Sequence, residues 1–421
     1  MGLGAVVALL VLLHSTPLQA QTSDRDITVV TDRWEIEFPG QVAFDLTAQA
    51  DQRIVEVQLF YRLAESRIWG YAYPNFEPAQ RVTAHFNLKT SGADFLVPFT
   101  RLEYYYLIRD DQDNVYETHP RVFEYTDTRF QWEQTQVGPL VLLYHDVPQS
   151  KVTKVSRQVE GELQRLSELL QLDTALPIKG IIYNQRQAAT DAFPFQSRTI
   201  TEQHVFEGFA FPERGLFVGL GLEPRLIIHE SAHVLLHQSL GPDALRVPAW
   251  LDEGFASYME PDSTPYSGES LSSLGLPLEA MATVPGTPRA ISSFYSKAES
   301  VVAYLIEQHG VEPFQNLLGQ LRMGQPVGEA LVSTYGFDIS GLDDLWAADT
   351  HGRGAPKPGS GGTSSLFIYF DTWALGVLSL VVMGALLVRY AFGKLRPDAN
   401  PEEGLQPWED PDILDRSEDA P

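Results

Sequence analysis

The period of the hydrophobic pattern changes once along this chain, and that change limits the fold more than any other feature. Up to about residue 128, apolar side chains recur at every second position: Val42, Phe44, Leu46 and Ala48; Val55, Val57, Leu59 and Tyr61; Val82, Ala84, Phe86 and Leu88; Leu102, Tyr104, Tyr106 and Ile108. Alternation at period two means one buried and one exposed face. Several such runs, broken by Gly, Pro and Asp turns, predict an all-β sandwich over residues 22–130. From Gly138 the pattern is different. Val152, Val155, Val159, Leu163, Leu166 and Leu170 recur at three and four, which predicts an amphipathic helix over 151–172. Leu140 to Tyr144, Ile178 to Tyr183 and Gly215 to Leu220 read as buried strands, and the chain from Glu223 to about Ala348 reads as mostly helical. Strands first and helices after predict a multidomain protein whose second domain, 138–350, is α+β.

The two ends carry apolar runs of different length. Ala5 to Leu13 is too short to span a bilayer and reads as a secretory signal over 1–20, cut after Ala20. No Lys or Arg precedes it and Leu18 is not small, so an uncleaved anchor is the alternative. Thr372 to Val388 is free of charge, and the window 366–392 is long enough for one tilted transmembrane helix. Phe367, Tyr369, Phe370 and Trp373 suit one interface, Tyr390 and Phe392 the other. Arg389, Lys394 and Arg396 put the C-terminal side in the cytoplasm, so residues before 365 face outward in a cell membrane. The stretch 351–365 (HGRGAPKPGSGGTSS) reads as a flexible stalk, and 393–421 as a short acidic cytoplasmic tail.

Composition removes whole classes of function. A formal net charge of −25 argues against nucleic acid as a partner, because phosphate binding needs clustered Lys and Arg. With no cysteine, disulfide frameworks, Cys metal sites, iron–sulfur clusters and thiol nucleophiles are excluded. Any metal is therefore held by His and carboxylates. Asp110, Asp111, Asp113 and Asn114 form one acidic cluster, but Val115 stands where a calcium loop needs Asp or Asn, so it reads as a polar turn.

The chemistry lies at residues 229–233, His229-Glu230-Ser231-Ala232-His233. Glu223 and Pro224 mark a helix start, and Leu226, Ile227 and Ile228 make that helix a buried one. Residues four apart share a helix face, so the two imidazoles can converge on one cation while Glu230 reaches a metal-bound water. This is the H-E-x-x-H zinc motif with its Glu as general base. A third protein ligand is needed. The metzincin pattern fails, since Leu236 and Ser239 stand where Gly and His belong. His237 lies about 80° around the helix from His229 and is expected to pack or meet solvent. The other solution is a Glu on the next helix, opened by Pro248 and Ala249, where Glu253 sits in Trp250-Leu251-Asp252-Glu253-Gly254-Phe255-Ala256. By helical geometry Asp252 points about 100° away from Glu253, and Glu260 lies about 10 Å further along the axis. Neither is expected to matter for metal binding.

HESAH followed by WLDEGFASY resembles the gluzincins, the zinc metallopeptidases of the peptidase MA clan. The resemblance implies a zincin-like metallopeptidase domain with Zn2+ held by His229, His233 and Glu253, and Glu230 as base. Gly208-Phe209-Ala210 with Gly215-Leu216-Phe217-Val218 resembles the strand lining the substrate cleft, and Tyr295 to Gly310 and Ala330 to Trp346 resemble later helices, so the likeness covers about 138–350. The aminopeptidase G-x-M-E-N motif is not visible, which leaves endopeptidase activity open. Tyr295 is a candidate donor to the tetrahedral oxyanion, with Tyr258 and Tyr266 as competitors. Ser257, one turn after Glu253, is a candidate to orient a ligand. His204 and His309 read as surface or packing residues. The segment EYYYLIRDDQDNVYETHP resembles part of a fibronectin type III-like domain. The expected function is a membrane-anchored, outward-facing zinc metallopeptidase acting on peptides or proteins. The rival is a surface binding protein whose sandwich engages a partner and whose metal domain is a scaffold.

Overall fold

The computed structural model describes residues 27–172, 176–194, 207–241, 247–261 and 276–352. The expected signal peptide, transmembrane helix and tail, most of the expected stalk, and His204 and Tyr266 lie outside the described residues. No helix among the described residues is long and apolar enough to cross a membrane.

The N-terminal region is organised by one long strand. After β1 (Ile27–Glu37), β2 runs unbroken over Gln41–Leu63 and is followed by β3 (Gly70–Ala72), β4 (Ala79–Lys89), β5 (Thr100–Asp110), β6 (Val115–Glu117) and β7 (Arg121–Tyr125). The first half of β2 pairs antiparallel with β1 on one side and β4 on the other. Its second half pairs with β3 and β5, and β5 carries β6 and β7. The register slips on both sides of Ile54. A bulge of this kind bends a strand, so one sheet folds over itself into two layers. Phe44 from the first half meets Tyr104 of β5 at 5.1 Å and Phe123 of β7 at 6.0 Å, edge to face. The period-two residues fill this core as expected, with one correction. Val55 is 40% exposed and Ile54 fully buried, because the bulge shifts the alternation by one residue.

The acidic hairpin is a polar turn. Asp110 accepts hydrogen bonds from the backbone of Gln112 and Asn114 and from the Asn114 side chain.

A second, five-stranded sheet has the order β11-β12-β10-β9-β8, made of β8 (Glu133–Val137), β9 (Leu140–Tyr144), β10 (Ile178–Tyr183), β11 (Gly208–Phe211) and β12 (Leu216–Leu220). The three central strands are parallel, and β8 and β11 close the edges antiparallel. Gly180 lets Phe217 cross the sheet, since a Cβ there would lie 2.4 Å from its ring. Helix α1 (Gln149–Leu169) buries Val152, Val155, Val159, Leu163 and Leu166, the stripe its sequence period requires. The short α2 (Arg186–Ala192) follows β10. Beyond β12 the chain is helical: α3 (Pro224–Leu240), α4 (Ala249–Met259), α5 (Pro288–His309), α6 (Val311–Arg322), α7 (Val327–Tyr335) and α8 (Ile339–Gly352).

α3 is apolar nearly all round because it is the central helix. Leu226, Ile227, Ile228, Val234, Leu235 and Leu236 are all buried. α4 and α5 pack at very short range through Gly254, where a Cβ would come within 2.4 Å of the Ala298 carbonyl oxygen. Gly254 is therefore a point of close helix approach. It sets α4 beside α3 and α5 with Glu253 between them.

Candidate metal centre

His229 and His233 stand one turn apart on α3, and Glu253 comes from the first half of α4. All three are buried, and one donor atom from each lies within 4.8 Å of the others. The two Nε2 atoms are 3.3 Å apart, and Glu253 Oε2 lies 3.7 Å from one and 3.4 Å from the other.

The imidazoles are held from behind. His229 Nδ1 is bonded to Glu260 Oε1 at 2.8 Å, and His233 Nδ1 to Asp252 Oδ1 at 2.8 Å. With each Nδ1 committed to a carboxylate, each Nε2 is turned toward the common point. Arg225 forms an ion pair with the other oxygen of Glu260. His237 Nε2 reaches Asp252 Oδ2 at 3.2 Å.

Three expectations are corrected here. His237 neither packs passively nor meets solvent, since it shares the carboxylate that orients His233. Its position was measured from His229, but its neighbour on the helix is His233, four residues back. Asp252 and Glu260 do bear on the candidate metal centre, from behind the two imidazoles. The carboxylate behind His229 is supplied by Glu260, not by the residue one turn after Glu253, where Ser257 stands. Glu260 reaches it because α4 stops at Met259 and Glu260 takes a non-helical ψ of 137°, so axial spacing does not apply to it. Pro261 was the available signal, because the residue before a proline is turned away from helix. Arg225 was legible too, four residues before His229 on the same face.

Glu230 is fully buried and neither of its carboxylate oxygens has a hydrogen-bond partner among the described residues. Burial drives its pKa up to about 8 against the pull of His229 and His233. Edge strand β11 presses on it, since a Cβ at Gly208 would lie 2.4 Å from Oε1. The expected strand beside the cleft is therefore in contact with the Glu of the motif. Tyr295 on α5 is 8% exposed, with its ring 6.5 Å from that of His229. Its pKa is pushed well above the usual value by burial and by the charge of Glu253. Tyr258 is only half-buried, with Glu307 and Arg165 as its charged neighbours. His309 packs among Tyr304, Tyr335 and Phe337.

The donor set fits a divalent cation. Against the upward push of burial, His233 and His237 hold Asp252 far below the carboxylate range. Glu253 is likewise held low by the two imidazoles against burial. The carboxylates of Asp252, Glu253 and Glu260 converge with two imidazoles in one buried cluster, and such a dry acidic cluster calls for positive charge at its centre. Two imidazoles and one carboxylate are borderline ligands with room for a fourth.

Residues 159–352 match the model of the Peptidase MA superfamily. The resemblance to the gluzincins is borne out over this segment, which is a metallopeptidase domain. No curated protein matches the chain. Solved structures with similar features include a variant of an M1 zinc metallopeptidase from Deinococcus radiodurans, 13% identical over 75% of this chain and 91% of that one, with a TM-score of 0.31. Another is an aminopeptidase N family protein from Idiomarina loihiensis, 10% identical over 73% of each chain, with a TM-score of 0.35. Likenesses this low carry no weight beside the family match.

Proposed function

We propose, from a Peptidase MA domain at 159–352, that this chain is a zinc peptidase in which His229, His233 and Glu253 hold the metal and Glu230 is the general base. The observation that carries this reading is the convergence of the three buried donor atoms beside a buried carboxylate that has no hydrogen-bond partner among the described residues. Zinc bound there supplies Lewis-acid polarisation of the scissile carbonyl and makes water a better acid.

The protein's own groups do the rest. Glu230 Oε takes the proton of the attacking water and hands it to the nitrogen of the leaving amine. Glu260 and Asp252 fix the imidazole tautomers and keep both Nε2 atoms aimed inward. Tyr295 keeps its phenolic proton and is the candidate donor to the oxyanion that forms at the carbonyl. Buried Leu226 on α3, against Gly208 beside Glu230, helps to exclude bulk water.

The address belongs to the same proposal. The uncharged run Thr372 to Val388, followed by Arg389, Lys394 and Arg396, supports a single-pass anchor with the peptidase outside the cell. The substrates are then extracytoplasmic peptides or proteins.

Glu230→Gln tests the centre, because it keeps size and removes the proton acceptor. The variant should retain one zinc per chain and lose at least about 100-fold of its turnover on a mixed quenched-fluorescent peptide library. Near-normal turnover would place the active site elsewhere. A parent protein that holds zinc and cleaves nothing would favour the reading as a surface binding protein.

A further inference from the structure

A cleft of about 660 Å³ opens where the sandwich meets the turn between β11 and β12. Tyr61, Phe86 and Phe95 give it apolar walls, and its charged lining is Arg62, Lys89, Arg214 and Asp94. Three cations thus face one anion in a chain of net charge −25.

The cations differ in how well they are matched. Arg62 is committed to Glu103 at 2.6 Å and covers the Trp69 ring. Lys89 is exposed. Arg214, from the peptidase domain, is 16% exposed, and its Nε and Nη1 are buried without a hydrogen-bond partner among the described residues. Glu213 stands 3.6 Å from Nε, an ion pair beyond hydrogen-bonding length, and Glu65 is a second acid close enough to act on the same charge. The remaining surface of Arg214 lines the cleft, and a carboxylate is the group whose geometry matches a guanidinium's planar fork. An apolar wall beside it suits a neighbouring aliphatic or aromatic side chain.

The hairpin β11–β12 ties this cleft to the metal centre. Gly208, at its start, touches Glu230, and Arg214 sits at its turn. The four residues of β11 span roughly 13 Å at the usual rise per residue, within reach of a short extended peptide.

We propose that the cleft is a substrate subsite for an acidic side chain flanked by an apolar residue, a few positions from the bond that is cut. This inference rests on the peptidase reading. The test is calorimetric titration of the Glu230→Gln protein, which leaves peptides uncut, with acetyl-Gly-Leu-Glu-Phe-Gly-amide and its glutamine counterpart. The glutamate peptide should bind at least about tenfold more tightly. Arg214→Gln and Lys89→Glu should each abolish that preference. Lys89 is exposed, so its reversal keeps the test valid if Arg214→Gln fails to fold. Ala93→Trp, on the exposed rim, should weaken both peptides. Equal affinity for the two peptides, or a preference that survives Lys89→Glu, would overturn the subsite. A preference that follows these variants in a protein whose parent cleaves no peptide would keep the subsite and sink the peptidase reading.

Discussion

Glu260 binds the back of His229 at 2.8 Å across 31 residues of sequence, and it does so from the first position outside its own helix. The carboxylate is 3% exposed and its second oxygen is taken by Arg225. An imidazole on α3 is thus aimed by the end of α4 and steadied by the start of α3. Asp252 serves His233 in the same way and binds His237 with its other oxygen.

The first prediction follows from that arrangement. Glu260→Gln and Asp252→Asn should each weaken zinc binding by about 10–100-fold, the usual effect of losing the group behind a ligand. Glu253→Ala removes a ligand itself and should weaken it more. Competition against a chelator of known affinity measures all three. Parent-like affinity in both amide variants would show that the hydrogen bonds to Nδ1 do not matter.

Gly208→Ala should separate catalysis from metal binding. The added Cβ would lie 2.4 Å from Glu230 Oε1 and 2.8 Å from Leu226. Glu230 has to move, and a displacement near 1 Å can cost about 100-fold in rate. The expected outcome is a kcat lowered by at least about tenfold with zinc content unchanged. An unchanged kcat would mean that the contact between β11 and Glu230 is incidental.

Gly254→Ala should act on stability. Its Cβ would meet the Ala298 carbonyl oxygen at 2.4 Å and Val302 at 2.8 Å, and backbone cannot step aside as a flexible side chain can. Overpacking of this kind costs about 1–3 kcal/mol. Thermal unfolding should fall by several degrees, at about 2–4 °C per kcal/mol for a domain of this size. An unchanged Tm would mean that α4 and α5 slide apart freely.

The proposed membrane anchor is open to a direct check. Protease added to intact cells should remove the sandwich and the peptidase domain and spare an epitope placed on the tail. A sandwich protected under these conditions would put the protein on the other side of the membrane.

Much of the metal centre was legible because it obeys one periodicity. His229 and His233 are four apart on a helix whose flanks are apolar, and Glu253 follows on a helix opened by Pro248 and Ala249. Such local relations survive in sequence. The strands Leu140–Tyr144 and Ile178–Tyr183 were legible for the same reason, as short apolar runs with turns beside them. What failed were inferences that carried a regular geometry past the point where the chain leaves it. Glu260 was dismissed by an axial distance that ends with α4 at Met259. Val55 was placed in the core by an alternation that the bulge at Ile54 interrupts. The dual role of β2 was hidden as well, because a bend that folds a sheet on itself depends on partners far away in sequence. Arg214 had no local pattern at all, since its surroundings come from β2, β4 and the turn before β5.

Asp127 lies between the sandwich and the second sheet with no exposed surface, where it accepts a hydrogen bond from Tyr183 of β10 and an ion pair from Arg129. Arg129 also reaches Asp191, and the Trp132 indole donates to the Asp127 carbonyl. The linker is therefore part of the enzyme's masonry. A chain begun at Gly138 would strip β9 of its neighbour β8 and take from Tyr183 both its acceptor Asp127 and the rings of Phe130 and Trp132 packed on it. Recombination that swaps the front module for another has to keep Asp127 through Val137 or rebuild that seam. The sandwich is accordingly a poor candidate for free exchange between proteins: whatever it binds, it is inherited together with the peptidase behind it.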